Sequence, residues 1–206
     1  GVISIGAAIG NVGILNPKKP FQFVGLVNRS DYNFTEMNNS KDLLNKLKFP
    51  NELIVFDGER LLPESDLIVN AFRMLTLTSM AKGHIVKNDS LVTSSYNRFL
   101  TLANNHLNDQ KPLLARYQLL DMEKIFNPFM ELDSLKATQK TLKRSTVYRQ
   151  ANRSQNSYFL KESFTKEDYS YYLEGDVIYY NYANLGWWNF QMQELDKLDK
   201  SANLYE

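Results

Sequence analysis

The pattern of apolar and polar positions begins with three short apolar segments. The runs FQFVGLV (21–27) and ELIVF (52–56) are rich in Val, Ile and Phe and have the length of strands. The first segment, GVISIGAAIGNVGIL (1–15), is too short to span a bilayer, which takes roughly 20 residues. It predicts a buried strand or extended segment instead.

A helix is predicted between the two runs. SKDLLNKLKF (40–49) opens on Ser40, a favourable N-cap residue, and its leucines lie on one helical face. Pro50 follows and ends the helix, because the residue before a proline is disfavoured in helical conformation.

From residue 63 the apolar spacing becomes that of consecutive helices. They are predicted over 65–82, 90–107, 112–126 and from 129 through 142. Gly83 stands where the first of them needs a C-terminal cap, and Pro112 suits the first turn of the third. Because the connections are short, the helices are expected to pack as an antiparallel bundle over 63–145.

The C-terminal part has mixed character. The polar segment RSTVYRQANRSQNS (144–157) predicts an exposed connection, and DVIYYNYA (176–183) predicts a strand because it is rich in β-formers. Beyond it, Leu185, Trp188, Met192 and Leu195 are three, four and three positions apart, which predicts a helix to about Lys200. This spacing places Trp188 in the core.

These elements predict a mainly α fold, a helical bundle with a minor β element drawn from the N-terminal runs and from 176–183. The alternative is an α+β fold in which one small sheet packs on the helices. A chain of 206 residues is expected to form a single domain, 1–206. Its portions are a mixed N-terminal part (1–62), the bundle (63–145) and an aromatic-rich C-terminal part (146–206).

Composition excludes several chemistries. The chain has no cysteine, which excludes disulfides, thiolate metal sites and a cysteine nucleophile, and its two histidines cannot supply a three-histidine zinc site. A formal net charge of +1 gives no strong signal for nucleic acid. No P-loop, serine elbow or dinucleotide loop is present. The sequence therefore favours a protein that is not an enzyme, with no catalytic residue, metal ligand or cofactor assigned.

The segment YYNYANLGWW (179–188) holds five aromatic rings in ten positions, including both tryptophans. Trp187 is turned by roughly 100° from Trp188 on a helix, so it cannot share the buried stripe. Rings edged by amides suit sugars, peptides or flat ligands, because the rings bury apolar area while the amides bind polar edges. The candidate ligand-binding residues are Tyr179, Tyr182, Asn184 and Trp187; the alternative is that all these rings fill core.

A second candidate surface is basic. Residues 134–160 contain six lysines and arginines and no acidic residue. Lys136, Lys140 and Lys143 fall on one helical face with Arg144 adjoining, which predicts a polyanion-binding surface. The alternative is a solvated helix face whose charge is offset by the acidic residues further along the chain.

These observations support three functional hypotheses. The preferred one is a non-enzymatic, extracytoplasmic binding or interaction module of a bacterial secreted protein, lipoprotein or membrane-anchored protein, with a protein or a small ligand as partner. It expects no transmembrane segment within the chain and an anchor upstream of Gly1. The second is a cytoplasmic adaptor or polyanion-binding protein that uses 136–153. The third is a hydrolase with dispersed catalytic residues, which requires a deep pocket that holds a histidine or carboxylate with a perturbed pKa.

Overall fold

A computed structural model describes residues 1–58 and 61–201, with side chains through residue 197. The chain divides into two compact units, residues 1–145 and the part from residue 146 onward. The predicted portions 1–62 and 63–145 thus belong to one unit, and the second unit begins where the predicted C-terminal portion begins. The assignment of all 206 residues to a single domain stays a prediction.

The first unit contains a three-stranded parallel sheet of β1 (Val2–Ile5), β2 (Phe23–Asn28) and β3 (Asn51–Phe56), in the order β1-β2-β3. The two apolar runs form β2 and β3 as predicted, and every residue of both strands is buried. A parallel sheet is normally covered on both faces, which explains the continuous apolar runs. The first segment also forms a strand, but the prediction that it is buried is wrong, because Val2 and Ile5 are exposed.

Five α-helices and a short 3-10 turn (Val12–Ile14) accompany the sheet in the part of this unit that the structure describes. The helices are α1 (Phe34–Lys46), α2 (Ser65–Ala81), α3 (Asp89–Asn108), α4 (Pro112–Phe126) and α5 (Asp133–Arg144). The mainly α fold with a minor β element is confirmed. The start predicted for the first helix is wrong, because α1 begins before Ser40. The Ser40 hydroxyl is inside the helix and accepts a hydrogen bond from the Ile9 amide at 3.1 Å.

Helices cover both faces and one edge of the sheet. A side chain at Gly25 of β2 would lie 2.6 Å from Met37 Cε, so α1 packs closely on that face. On the other face, Gln22 Nε2 donates to Thr78 Oγ1 of α2 at 2.7 Å. Helix α4 lines the open edge of β3, where the Leu53 amide donates to Asp121 Oδ2 at 3.1 Å. The backbone of an edge strand is thereby satisfied within the fold.

Specific residues cap the ends of α2 and α3 and form the connection to α4. Gly83 has φ 73°, and the His84 amide donates to the Ser79 carbonyl oxygen, so the predicted glycine cap of α2 is confirmed. The helix predicted from residue 90 begins slightly earlier, at Asp89, and Asn88 caps it, since the Asn88 side chain accepts from the Leu91 amide at 2.9 Å. Gln110, with φ 57°, then reverses the chain into α4.

The second unit contains α6 (Thr146–Ile178), a short 3-10 turn (Tyr182–Asn184) and α7 (Leu185–Ser201). The exposed connection predicted over 144–157 and the strand predicted over 176–183 are both wrong. Helix α6 covers most of the first segment, and the end of α6 with the following turn covers the second. The helix predicted from Leu185 is confirmed, but the burial of its apolar stripe is not, because Leu185 and Met192 are exposed.

Among the residues described, no helix is both long and apolar enough to cross a bilayer.

Candidate functional site

The aromatic turn, defined here as residues 169–188, is organised around the carboxylate of Asp176. Its Oδ2 accepts hydrogen bonds from Trp188 Nε1 and from Asn184 Nδ2, both at 2.7 Å. Its Oδ1 accepts a third from Asn181 Nδ2 at 3.1 Å. The bond from Asn184, and next the bond from Trp188, lower the pKa of Asp176, because they stabilise the charged form.

The rings of the turn contact one another edge to face. Tyr169 of α6 lies against Trp187 and Trp188, with ring centroids 6.2 Å and 5.7 Å apart. The two indoles are 4.8 Å apart, and Tyr172 lies 5.5 Å from Trp187. Both tryptophans are half-buried, so the predicted contrast between a core Trp188 and an exposed Trp187 is wrong. The pair forms one ring cluster at the surface of the unit.

Of the four predicted ligand-binding residues, Trp187 belongs to the ring cluster and Asn184 donates to the Asp176 carboxylate. Tyr179 and Tyr182 lie in the turn, and among the described residues neither makes a ring contact with the cluster. Asn184 and Trp187 are half-buried, whereas Tyr179 and Tyr182 are 81% and 71% exposed. The sequence did not indicate Asp176 or Tyr169. Their contacts depend on the chain reversal between α6 and α7, for which no local pattern exists.

The predicted basic face forms on α5. Lys136, Lys140, Lys143 and Arg144 are exposed, and the opposite face buries Leu135, Gln139 and Leu142. The other two arginines of the segment belong to the second unit. Arg149 and Arg153 lie on α6, where they line a depression of about 410 Å³ together with Thr146, Gln150 and Ser154. The basic segment 136–153 is therefore divided between the two units.

The first unit contains a cavity that the sequence did not indicate. Its volume is about 200 Å³, and it lies between the carboxyl-terminal half of β3 and helices α2, α3 and α4. Most of its lining is apolar, contributed by Ile54, Val55, Phe56, Leu67, Met74, Leu102 and Leu114. The polar lining residues are Asp57, Asn70, His106, Lys111 and Gln118.

Charged groups gather at one end of this cavity. Asp57 Oδ1 accepts a hydrogen bond from Arg29 Nε, and Lys111 Nζ lies 3.0 Å from Asp57 Oδ2. Burial alone would raise the pKa of Asp57, but the bonds from Arg29 and Lys111 outweigh it and lower the pKa. Burial, and then the charge of Lys111, lowers the pKa of His106, which favours the neutral imidazole.

The turn between α3 and α4 brings two of these groups together. His106 lies in the last turn of α3, and the Lys111 amide donates to the His106 carbonyl oxygen at 2.8 Å. Both side chains therefore line the cavity beside Asp57, which directly follows β3. The other histidine, His84, is exposed beyond the end of α2.

A separate buried charged group lies near the amino end of β3. Glu52 is 4% exposed and accepts a hydrogen bond from Gln22 Nε2 at 3.1 Å. Burial, and next the charge of Asp121, raise the pKa of Glu52 to about 7. Asp121 is itself buried, with Lys41 Nζ 3.5 Å from its Oδ1. In the described part of the chain, no three His, Cys, Asp or Glu side chains form a group that could hold a metal ion.

Comparison with models of known protein families, with curated proteins and with solved structures finds no match for this chain. Its function is therefore inferred from its own geometry.

Proposed function

We propose that the chain is a non-enzymatic binding and interaction module that acts outside the cytoplasm, in the periplasm or envelope of a bacterial cell. Its binding surface is the aromatic turn, and its partner is another protein chain. A small ligand such as a sugar is the alternative occupant, because rings flanked by amides also suit flat polar molecules.

The observation that carries this proposal is the distribution of apolar side chains in the second unit. Of its described residues, only Gln155 is buried. Many of its large apolar side chains are instead exposed, among them Tyr171, Val177, Tyr179, Tyr180, Tyr182 and Leu185. Large exposed apolar patches are typical of interaction sites, and tyrosine and tryptophan are enriched where proteins bind one another.

Asp176 supports the same proposal by fixing the surface in advance. Its carboxylate holds Asn184 and Trp188, which restricts the turn that carries Tyr182 and Trp187. A surface that is ordered before binding loses less conformational entropy when the partner arrives. This arrangement favours recognition by the turn over nonspecific adhesion.

Site-specific photo-crosslinking in the native host tests the proposal. A photoreactive phenylalanine replaces Tyr182 in one version of the full-length protein and Tyr32 in another. These two tyrosines are 71% and 75% exposed, but Tyr32 lies in the first unit, so it is a matched control. We expect a defined adduct at position 182 that is absent at 32 and is lost when Trp187→Ala is added. The same adducts at both positions, or none at 182, would contradict the proposal.

The extracytoplasmic location rests on the sequence alone and has its own test. Fractionation of cells that express the native full-length gene is expected to recover the protein in the periplasmic or envelope fraction. Recovery in the cytosolic fraction alone would overturn this part of the proposal and leave the binding surface untouched.

A second candidate function is polyanion binding by α5. The specific observation in its favour is the exposed row of Lys136, Lys140 and Lys143 along one face of α5. Heparin binding should then weaken steeply with salt, because phosphate or sulfate contacts release counterions. Charge reversal at Lys140 and Lys143 should abolish it, whereas salt-independent binding, or no effect of the reversal, would exclude this function.

The hydrolase hypothesis requires a deep pocket that holds a histidine or carboxylate with a perturbed pKa, and the cavity of the first unit is lined by His106, whose pKa is lowered by burial. The described residues that line the cavity include no serine, threonine or cysteine that could act as a nucleophile. The site supports ligand binding more directly than covalent catalysis.

A further inference from the structure

We propose that a second copy of this chain binds along the outer face of α6, with the two helices antiparallel and centred on each other's midpoints. The outer face is defined by the exposed residues Arg153, Leu160, Phe164, Tyr171 and Ile178. It shares Tyr171 and Ile178 with the aromatic turn but is centred outside it, and Tyr182 lies beyond the end of α6. This proposal and the proposed function therefore fail separately.

Four large apolar side chains lie in one row along the outer face. Leu160, Phe164, Tyr171 and Ile178 are four, seven and seven positions apart, which places them within about 40° of one another around the helix axis. They are between 56% and 74% exposed. The opposite side of α6 carries the buried Gln155, so it is the side that packs within the unit. A second apolar row that points away from the unit is typical of an interface.

The charges of α6 are divided between its two ends. Residues 146–160 contain two arginines and no acidic residue, whereas residues 167–178 contain four acidic residues and no lysine, arginine or histidine. Two parallel copies would place like charges side by side, which is unfavourable. Antiparallel copies bring the basic half of each helix to the acidic half of the other. Because the outer face is thus complementary to itself, we assign it to a second copy in a twofold arrangement, the commonest among homo-oligomers.

The apolar row meets itself in this arrangement. Helix α6 covers Thr146–Ile178, so its midpoint is Glu162. In an antiparallel pair centred there, two positions equally far from the midpoint on its two sides lie opposite each other. Leu160 of each copy therefore lies opposite Phe164 of the other, and the whole helix, about 50 Å long, takes part in the interface. Burial of the row removes apolar surface from water, which favours association.

Arg153 and Tyr171 contribute the polar contacts of the pair. Each lies nine positions from the midpoint, so the guanidinium of one copy meets the phenol ring of the other in a cation–π contact. Glu167 and Glu174 are exposed about one turn to either side of Tyr171, where their charges attract the same guanidinium. These contacts form only between antiparallel copies, so they determine the orientation as well as the affinity.

Analytical ultracentrifugation of the full chain measures the association. We expect a reversible dimer at micromolar concentration. Leu160→Asp should raise the dissociation constant about tenfold or more, because it places a charge at the apolar centre. Leu173→Asp is the matched control and should leave the constant unchanged, since Leu173 is 53% exposed against 56% for Leu160 but lies on another side of α6. Circular dichroism checks that both variants keep their helix content.

Charge reversal tests the orientation. Arg153→Glu should weaken the dimer about tenfold or more, because it brings a carboxylate beside Glu167 and Glu174 of the other copy. The combined variant Arg153→Glu, Glu167→Arg, Glu174→Arg exchanges the opposite charges, so it should recover most of the loss. A change that merely perturbed the fold would not be rescued in this way.

Single cysteines report which positions meet, because the chain has no cysteine of its own. A mixture of Arg153→Cys and Tyr171→Cys chains, treated with a short bis-maleimide, should link position 153 of one chain to position 171 of the other, as read by mass spectrometry.

Four results would overturn the proposal. They are a monomer at every concentration up to about 100 micromolar, equal effects of Leu160→Asp and Leu173→Asp on the dissociation constant, no recovery in the combined charge variant, and linkage of 153 to 153 and 171 to 171, which indicates parallel helices.

Discussion

The indole of Trp188 donates a 2.7 Å hydrogen bond to Asp176, the carboxylate that also holds Asn184. A polar side chain twelve positions back in the chain thus fixes the orientation of a ring that the sequence assigned to a core. This carboxylate holds the indole of Trp188 at the surface of a unit in which, among the residues with described side chains, only Gln155 is buried. This relationship supports the proposal that the aromatic turn is ordered before it binds a partner.

The aromatic turn should resist acid until the pH falls below the ordinary aspartate range. The folded pKa of Asp176 is lowered, so its stabilising effect is complete above the ordinary value of 3.8 and is lost as the pH falls through the folded pKa. Tryptophan emission should therefore change only below about pH 3.8. Asp176→Asn should abolish this transition, and Asp168→Asn, an exposed change on the same helix, should preserve it. A transition that both variants retain would show that another group controls it.

Glu52→Gln should stabilise the protein at alkaline pH. Because burial raises the folded pKa of Glu52 from 4.5 to about 7, the folded chain binds more protons than the unfolded chain between these values, and stability falls as pH rises through that window. The loss amounts to about 3 kcal/mol by pH 8. Urea unfolding should show this decline in the wild type and in Glu131→Gln, an exposed control, but not in Glu52→Gln. An identical pH dependence in all three would contradict the assignment.

Asp57→Asn should destabilise the first unit by about 1–3 kcal/mol at pH 7, because it removes the charge that accepts the bonds from Arg29 and Lys111. The exposed pair of Lys87 and Asp89 provides the comparison, with Nζ and Oδ1 at 2.8 Å. Asp89→Asn should cost less than about 1 kcal/mol, since exposed ion pairs contribute little. Urea unfolding followed by circular dichroism measures both changes. If the two substitutions lower the free energy of unfolding equally, the partial burial of Asp57 does not strengthen its ion pairs.

Lys48→Gly should stabilise the chain. Lys48 has φ 60°, and the Phe49 amide donates to the Leu44 carbonyl oxygen, so Lys48 occupies the left-handed position that ends α1. Glycine adopts this conformation without the steric cost of a side chain, which predicts a gain of about 0.5–1 kcal/mol. Lys46→Gly, within α1 at a helical position, should instead cost a similar amount. Thermal unfolding should therefore separate the two variants by several degrees, and a lower melting temperature for Lys48→Gly would refute the prediction.

The sequence predicted the elements whose signals are local. Strands β2 and β3 are continuous apolar runs, and α2 to α5 have regular apolar spacing with identifiable ends such as Gly83 and Pro112. Helix α6 was missed because its apolar residues do not gather on one face, and because its last residues, Asp176–Ile178, lead into a run of tyrosines that favours a strand.

The candidate sites likewise differ in whether a local sequence pattern reveals them. The basic face of α5 could be predicted, because i, i+4 and i+7 positions share a helix face whatever surrounds it. The cavity could not, since Asp57, His106 and Lys111 come together only when α3 and α4 pack beside β3. The bonds of Asp176 likewise depend on the reversal between α6 and α7.

Acrylamide quenching of Trp188 tests the central claim most directly. In Trp187→Phe, Trp188 is the only tryptophan, and its fluorescence reports on the bond to Asp176. We predict a partly protected indole in this variant and a clear rise in quenching, with a red-shifted emission maximum, when Asp176→Asn is added. Asp168→Asn in the same background should have no effect. Equal quenching with and without Asp176→Asn would contradict the claim that this carboxylate holds the aromatic surface in place.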